Sequence, residues 1–328
     1  MGFLLKSGLG QGSRGVRGLQ GMLALNDAAG ATSMAAIGET HMTAVIAVLA
    51  AGAMGSAVGR RLVEHGARVL TSLDGRSAAT RSRALAAGMI EAGDDQIAGA
   101  DIILSILPPA EAVALAQRLA PALCRSGKQV IYVDCNAVNV ATVQRVAGIL
   151  AATPARFVDG AIIGAPPRPG TPGPTFYFAG EPAADLGCLQ ALGLRTRTLD
   201  GTVGAASALK MAYAGITKGL TALAAAMVLA ASRAGAAEAL HRELAASQPQ
   251  LFKRFQSALP DMAPKADRWV AEMREIAGFA GEDSAVARIY QGIADLYERL
   301  GADQRGERLE FGLIDSFLGL AAPGNADP

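Results

Sequence analysis

The sequence predicts an α/β chain in two parts, a parallel sheet covered by helices followed by a half that is helical throughout. Three observations carry this. Short apolar runs alternate with segments of helical period between Ala44 and Ile163. A glycine-rich turn follows the first of those runs. After a last strand at Thr196–Asp200 the pattern keeps helical spacing to the end.

The elements follow in order. Ala44–Ala50 is a short apolar run that reads as a strand. A helix runs from about Met54 to His65 and stops at Gly66, a residue suited to the left-handed C′ position. Arg68–Leu73 is the next strand and Ser77–Ala87 the next helix. Asp101–Leu107 reads as a buried strand ended by Pro108-Pro109, and Pro109–Leu123 as a helix. Gln129–Asp134 is a strand, Val140–Ala151 a helix, and Phe157–Ile163 the strand after it. This alternation implies a parallel sheet with helices on both faces. Thr202–Ala234 then forms one long helical pattern. Shorter ones follow at Ala236–Ala246, Lys265–Ala277, Ser284–Leu300 and Gly306–Leu318.

A chain of 328 residues suggests two domains, divided here at 42–200 and 201–328. Residues 1–41 are rich in Gly, Ala and Ser and carry no acid before Asp27. They read as a disordered extension ahead of Met42, although a transit peptide shares that composition. Basic and acidic residues nearly cancel, 30 against 29, and aromatics make up 5% of the chain. Neither an electrostatic footprint for nucleic acid nor a base-stacking surface is expected. Cys124, Cys135 and Cys188 fit no disulfide framework or zinc spacing, which suits a reducing, cytoplasmic setting and no metal. The most apolar stretch, Gly219–Ala231, is short for a membrane span, is flanked by Lys218 and Arg233, and reads as a buried helix.

The first turn points to a ligand. A dinucleotide needs its pyrophosphate close to backbone N–H groups at a helix N-terminus, and glycines allow that approach. Ala50-Ala51-Gly52-Ala53-Met54-Gly55 matches Gly-x-Gly-x-x-Gly except that alanine replaces the first glycine. Its place after a strand and before a helix makes the first half a Rossmann-type domain binding NAD or NADP through Gly52, Ala53, Met54 and Gly55. At the end of the second strand, Asp74 suits the ribose hydroxyls of NAD. Arg76 and Ser77, with Arg81, suit the 2′-phosphate of NADP, toward which the reading leans. Leu107, Pro108 and Asn136 lie at the carboxyl ends of later strands, the edge where open α/β sheets bind ligands.

Taken together, Met54 in the glycine turn, Ser105-Ile106-Leu107-Pro108, Asp134-Cys135-Asn136, Asp159-Gly160-Ala161-Ile162-Ile163-Gly164-Ala165 and Gly204-Ala205-Ala206-Ser207-Ala208-Leu209-Lys210 resemble the β-hydroxyacid dehydrogenases and their 6-phosphogluconate dehydrogenase relatives. The resemblance covers about Thr43 to Leu300 and is closest to a poorly characterised branch in its C-terminal part. It implies a nicotinamide-dependent oxidoreductase, a catalytic lysine at Lys210, and a substrate loop at Ile163, Gly164 and Ala165. Two departures stand out. The family's Ser-Gly-Gly becomes Ile163-Gly164-Ala165, and the asparagine four residues after the lysine becomes Ala214.

At helical spacing Lys210, Tyr213, Ala214 and Thr217 share a face. A lysine in an apolar cleft is a suitable general base or acid, because desolvation favours its neutral form. From the residues alone Lys210 reads as a lysine snorkelling to the surface; the resemblance implies instead that it takes the substrate's hydroxyl proton, with Tyr213 or Thr217 bonded to the same oxygen and Lys218 a further substrate candidate. The expected reaction is hydride transfer between the cofactor and a hydroxy acid or related alcohol or carbonyl. An imine or ketone reductase of similar architecture and a non-catalytic dinucleotide sensor are the alternatives. Arg168, in its proline-rich loop, reads as a surface charge, and Trp269 and Phe279 as core. An apolar face on the long helix left uncovered within one subunit predicts a homodimer.

Overall fold

Val45 to Leu49 are uniformly apolar, and in the computed structural model they form a strand whose two faces are both covered. The structure describes residues 43–281 and 285–319. The expected extension at 1–41 and the start of the helix expected from Ser284 lie outside them.

The strands are β1 (Val45–Leu49), β2 (Arg68–Thr71), β3 (Ile90–Glu91), β4 (Ile102–Ser105), β5 (Ile131–Asp134), β6 (Arg156–Ile163), β7 (Thr175–Ala179) and β8 (Arg195–Thr198). They form one eight-stranded sheet in the order β3-β2-β1-β4-β5-β6-β7-β8. Helices α1 (Ala53–Glu64), α2 (Ala78–Ala86), α3 (Asp94–Ala98), α4 (Ala112–Ser126), α5 (Val140–Leu150) and the short α6 (Cys188–Ala191) connect them. Two apolar layers lie on the two faces of the sheet. One gathers Ile46, Val48, Val58 and Leu62 with Phe176 and Phe178, and the other Ala47, Leu49, Leu119, Leu123, Tyr132 and Val143.

The strands read from the sequence between Ala44 and Ile163 pair in parallel, and one strand that the reading leaves unassigned departs from them. β7 runs antiparallel to β6, pairing Gly160 with Phe178 and Ile162 with Phe176. Its run Thr175-Phe-Tyr-Phe-Ala179 follows a loop too short to house a crossover helix, so the chain can only return antiparallel. The dyad β3 and the five-residue α3 carry too few residues to show a period.

From Ala205 onward the described residues are helical: α7 (Ala205–Arg233), α8 (Ala237–Ser247), α9 (Pro249–Met262), α10 (Ala266–Phe279), α11 (Ala285–Arg305) and α12 (Leu309–Leu318). α9 occupies what the sequence reading leaves as a connection. Pro249 sits in its first turn, where no backbone donor is needed, and Phe252, Phe255, Leu259 and Met262 fall on its buried face. Trp269 is buried edge-to-face on Tyr297, while Phe279, expected in the core, is partly exposed. α7 is the axis of this half. It is 29 residues long, more than the apolar stretch suggested, and long and apolar enough to cross a membrane by composition; half of its most apolar window is buried inside the protein. Its other side exposes Tyr213, Ile216, Leu223 and Met227.

Candidate active site

The turn after β1 is shaped by two glycines with different tasks. A Cβ on Gly55 would collide with the Ala50 carbonyl oxygen, so the first turn of α1 packs onto the end of β1 only without a side chain. A Cβ on Gly52 would meet nothing within 4 Å, because that position opens outward. Gly52 is the N-cap of α1, no side chain among the described residues caps the helix, and no acid lies in its first turn. The N-terminal N–H groups are thus left for an anion. Ala53 is exposed beside them, and Met54 is half-buried against the apolar layer below.

The loop after β2 gathers the groups expected to choose the cofactor. Asp74 is exposed beside Gly75, which adopts φ +65°. Arg76 is half-buried and pairs with Glu111 at 3.0 Å, which ties this loop to the segment after Pro108. Ser77 caps α2, its Oγ accepting from the Thr80 N–H at 3.3 Å. Arg81 donates to the Leu73 carbonyl at 2.8 Å and pairs with Glu91 at 2.9 Å. Arg83, not singled out from the sequence, donates from Nε to the Ala51 carbonyl at 3.4 Å, linking α2 to the glycine turn. Only tertiary packing reveals that link, since it joins residues on separate elements.

Asn136 is buried where β4 and β5 end. Its Oδ1 accepts from the Leu107 N–H at 2.5 Å and its Nδ2 donates to Ser105 Oγ at 2.8 Å. Both side-chain groups therefore brace the loop that presents exposed Pro108, rather than standing open to a ligand. At the end of β6, Ile163 is half-buried, Gly164 has φ +128° and Ala165 is exposed. None of these side chains offers a hydrogen bond. The loop then turns back along α1, where Arg61 donates to the carbonyls of Arg168 and Thr171 at 3.1 Å; Arg168 itself is exposed.

Lys210 is placed by a buried carboxylate. Asp159, on β6 and fully buried, accepts on Oδ2 from the N–H groups of Gly204 at 2.9 Å, Ala206 at 2.9 Å and Ser207 at 3.1 Å. Its Oδ1 accepts from Ser207 Oγ at 2.7 Å. A negative charge at a helix N-terminus is favourable, and here it locks the start of α7 to the sheet. Burial pushes the Asp159 carboxyl up, against the pull of those hydrogen bonds.

One turn further, Lys210 is half-buried and makes no hydrogen bond or ion pair among the described residues. Burial lowers its amine to about 8; Cys135 and Asp134 oppose that and Arg268 adds to it. Asp159 is in register with Asp134 at the carboxyl end of β5, so its bonds to Gly204, Ala206 and Ser207 bring the start of α7, one turn before Lys210, to that edge of the sheet. Tyr213 is half exposed on the apolar side of α7. Thr217 donates its hydroxyl proton to the Tyr213 carbonyl at 2.9 Å, which leaves its oxygen only as an acceptor. Lys218 points elsewhere. It contacts the Glu272 carboxylate and lies 5.2 Å from the Trp269 ring centre, inside the helical half.

The comparisons agree with this geometry. Residues 45–190 match the NAD binding domain of 6-phosphogluconate dehydrogenase, and residues 231–300 match a domain of unknown function, DUF1932. No curated protein sequence matches the chain. Among solved structures, a conserved protein of unknown function described as similar to 3-hydroxyacid dehydrogenases is 27% identical, with TM-score 0.62 over 80% of this chain and 98% of that one. A conserved hypothetical protein from Sinorhizobium meliloti is 26% identical, with TM-score 0.64 over 85% and 97%. A 3-hydroxyisobutyrate dehydrogenase of Mycobacterium tuberculosis, solved with L-serine, shares the fold at 17% identity, with TM-score 0.64 over 80% and 95%. Residues 45–190 thus carry a nicotinamide-dinucleotide-binding domain similar to that of 6-phosphogluconate dehydrogenase, and the chain has the fold of hydroxyacid dehydrogenase-like structures.

Proposed function

We propose that this chain is an NAD(P)-dependent oxidoreductase that transfers hydride between a nicotinamide cofactor and a hydroxy acid or related alcohol or carbonyl, with Lys210 as general acid and base. The observation that carries the reading is Lys210 itself. Its amine is unpaired among the described residues and lowered to about 8 beside the ligand edge of a dinucleotide-binding sheet. At pH 7 such an amine is neutral in about one molecule in ten, enough to act as a base and acidic enough to return the proton.

The cradle fits a dinucleotide. Gly52 opens outward, and among the described residues no side chain caps the N–H groups of α1. Gly52, Ala53, Met54 and Gly55 would hold the pyrophosphate, and Pro108 with Leu107 would line the cleft. When bound, the nicotinamide supplies the hydride donor or acceptor. Arg76, Ser77, Arg81 and the additional Arg83 favour a 2′-phosphate, hence NADP, over the single exposed acid Asp74. In alcohol oxidation, neutral Lys210 takes the hydroxyl proton; in carbonyl reduction, the ammonium gives it back. Thr217 can accept a hydrogen bond from a substrate but has committed its own proton to the helix.

The Ile163-Gly164-Ala165 loop offers no side-chain donor to a carboxylate. That supports the second reading, reduction of a ketone or imine whose substituents are apolar. The second copy in a homodimer would cover the exposed side of α7, where Ile216 is 68% and Met227 60% exposed. The protein would work in a reducing cytoplasm, consistent with three free cysteines.

The test begins with fluorescence titrations of NADPH and NADH, followed by a screen of hydroxy acids, aldehydes, ketones and imines. Lys210→Met should keep cofactor affinity and lose turnover by about 10²–10⁴-fold. Equal turnover in the variant would end the lysine mechanism. Cofactor binding with no turnover of any substrate class would favour a dinucleotide sensor.

A further inference from the structure

We propose that Asp134 is a positioning residue for the proton chemistry of Lys210, a buried carboxylate at the end of β5 that sets how readily the lysine amine takes up and releases a proton. The proposal rests on the reading of Lys210 as general acid and base.

Asp134 is buried at the carboxyl end of its strand. Its Oδ1 accepts from the Asn136 N–H at 2.9 Å. Among the described residues its Oδ2 finds no hydrogen-bond partner. A buried orphan oxygen of this kind is costly, and the bond that Oδ1 makes needs only an amide oxygen. Asparagine would serve that bond without a charge, so the charge has its consequence elsewhere.

The fold says where. Asp134 is paired in register with Asp159 on the neighbouring strand β6. Asp159 directs its carboxylate at the N-terminus of α7, which has the effect of laying the second turn of that helix, with Lys210, over the same end of the sheet. Of the two carboxylates, Asp159 is saturated by α7 and its capping serine, while Asp134 keeps an open oxygen.

The charged and titratable groups around the lysine come from every element that packs there. β5 contributes Asp134 and the Cys135 thiol, α10 contributes Arg268 and Glu272, and α7 itself contributes Lys218. Cys135 is pushed up by burial and stays a neutral thiol. Arg268 opposes a charged Lys210, and the Glu272 carboxylate is engaged with Lys218 and Arg268. Asp134 is therefore the anion that stabilises the ammonium formed when Lys210 accepts a hydroxyl proton. The effect is mutual. Burial pushes Asp134 up to about 7, Asn136 pulls it back, Asp159 adds to the rise, and Lys210 lowers it. Two groups poised at about 7 and about 8 titrate as a pair.

The experiment needs neither substrate nor cofactor. The full chain is trace-labelled with acetic anhydride across a pH series, and acetylation of the peptide bearing Lys210 is measured by mass spectrometry. Asp134→Asn should move the Lys210 midpoint down by about one pH unit, giving several-fold more neutral amine near pH 7. An unchanged midpoint in the folded variant overturns the proposal. If Asp134→Asn does not fold, the reciprocal measurement decides. Lys210→Met, with ¹³C-labelled aspartate followed by NMR, should titrate Asp134 at a higher pH than the parent chain. No change in that carboxyl overturns the coupling as well. Because the labelling reads proton affinity alone, a parent chain without turnover would sink the role of Lys210 and leave the coupling measurable. An unchanged midpoint in an active enzyme would sink the role of Asp134 only.

Discussion

Replacing Asp159 by alanine tests the construction of the site most directly. The carboxylate accepts four hydrogen bonds, three from backbone N–H groups of α7 and one from Ser207, and it is fully buried. Removing it orphans all four donors. Each buried orphan costs about 1–3 kcal/mol, but entry of water into the vacated space and relief from burying a charge offset part of that sum. A net loss of about 3–4 kcal/mol is expected for four orphaned donors with that offset. For a protein of this size that lowers the melting temperature by about 6–12 °C. Asp159→Asn should cost less, about 1–2 kcal/mol. An amide oxygen can face the three N–H groups while its NH₂ donates to Ser207 Oγ, which can turn to accept. The assay is thermal melting followed by circular dichroism at neutral pH, with the Lys210 acetylation midpoint as a second readout. A loss in Asp159→Ala below about 1 kcal/mol, or Asn behaving worse than Ala, would refute the view that this carboxylate anchors α7.

Three further outcomes follow from the geometry. Gly52→Ala should melt like the parent chain, since its Cβ meets open space, yet bind NADPH at least about tenfold more weakly; Gly55→Ala should lose stability because its Cβ strikes the Ala50 carbonyl. Isothermal titration and thermal melts separate the two. Arg76→Ala should weaken NADPH by about tenfold while sparing NADH, and equal weakening of both would remove Arg76 from the 2′-phosphate site. Stability should also respond to Asp134: its folded-state carboxyl is raised from 3.8 to about 7, so the folded chain holds the extra proton and its stabilising effect is lost as pH rises through that window. Asp134→Asn should therefore gain stability relative to the parent between about pH 4 and about pH 7, as read by urea denaturation at the two ends; a parallel pH dependence in both proteins would contradict the raised carboxyl.

What the sequence alone determined was the alternation of elements and the glycine turn after the first strand. Apolar runs such as Val45 to Leu49 reveal a strand buried on both faces, and Gly52 with Gly55 reveals the turn, because period and backbone permission are local properties. The resemblance around Lys210 is visible for the same reason, being contiguous along one helix. Tertiary structure decided the rest. It placed β7 antiparallel, turned Lys218 toward Glu272, engaged Asn136 between Ser105 and Leu107, and brought Arg83 to the glycine turn. It also set Asp159 beneath α7, across 45 residues of sequence from Gly204, and left Asp134 with an open oxygen beside it. Hydrogen bonds and charges act between groups that are neighbours in space, and separation along the chain carries no record of which distant groups packing will bring into contact.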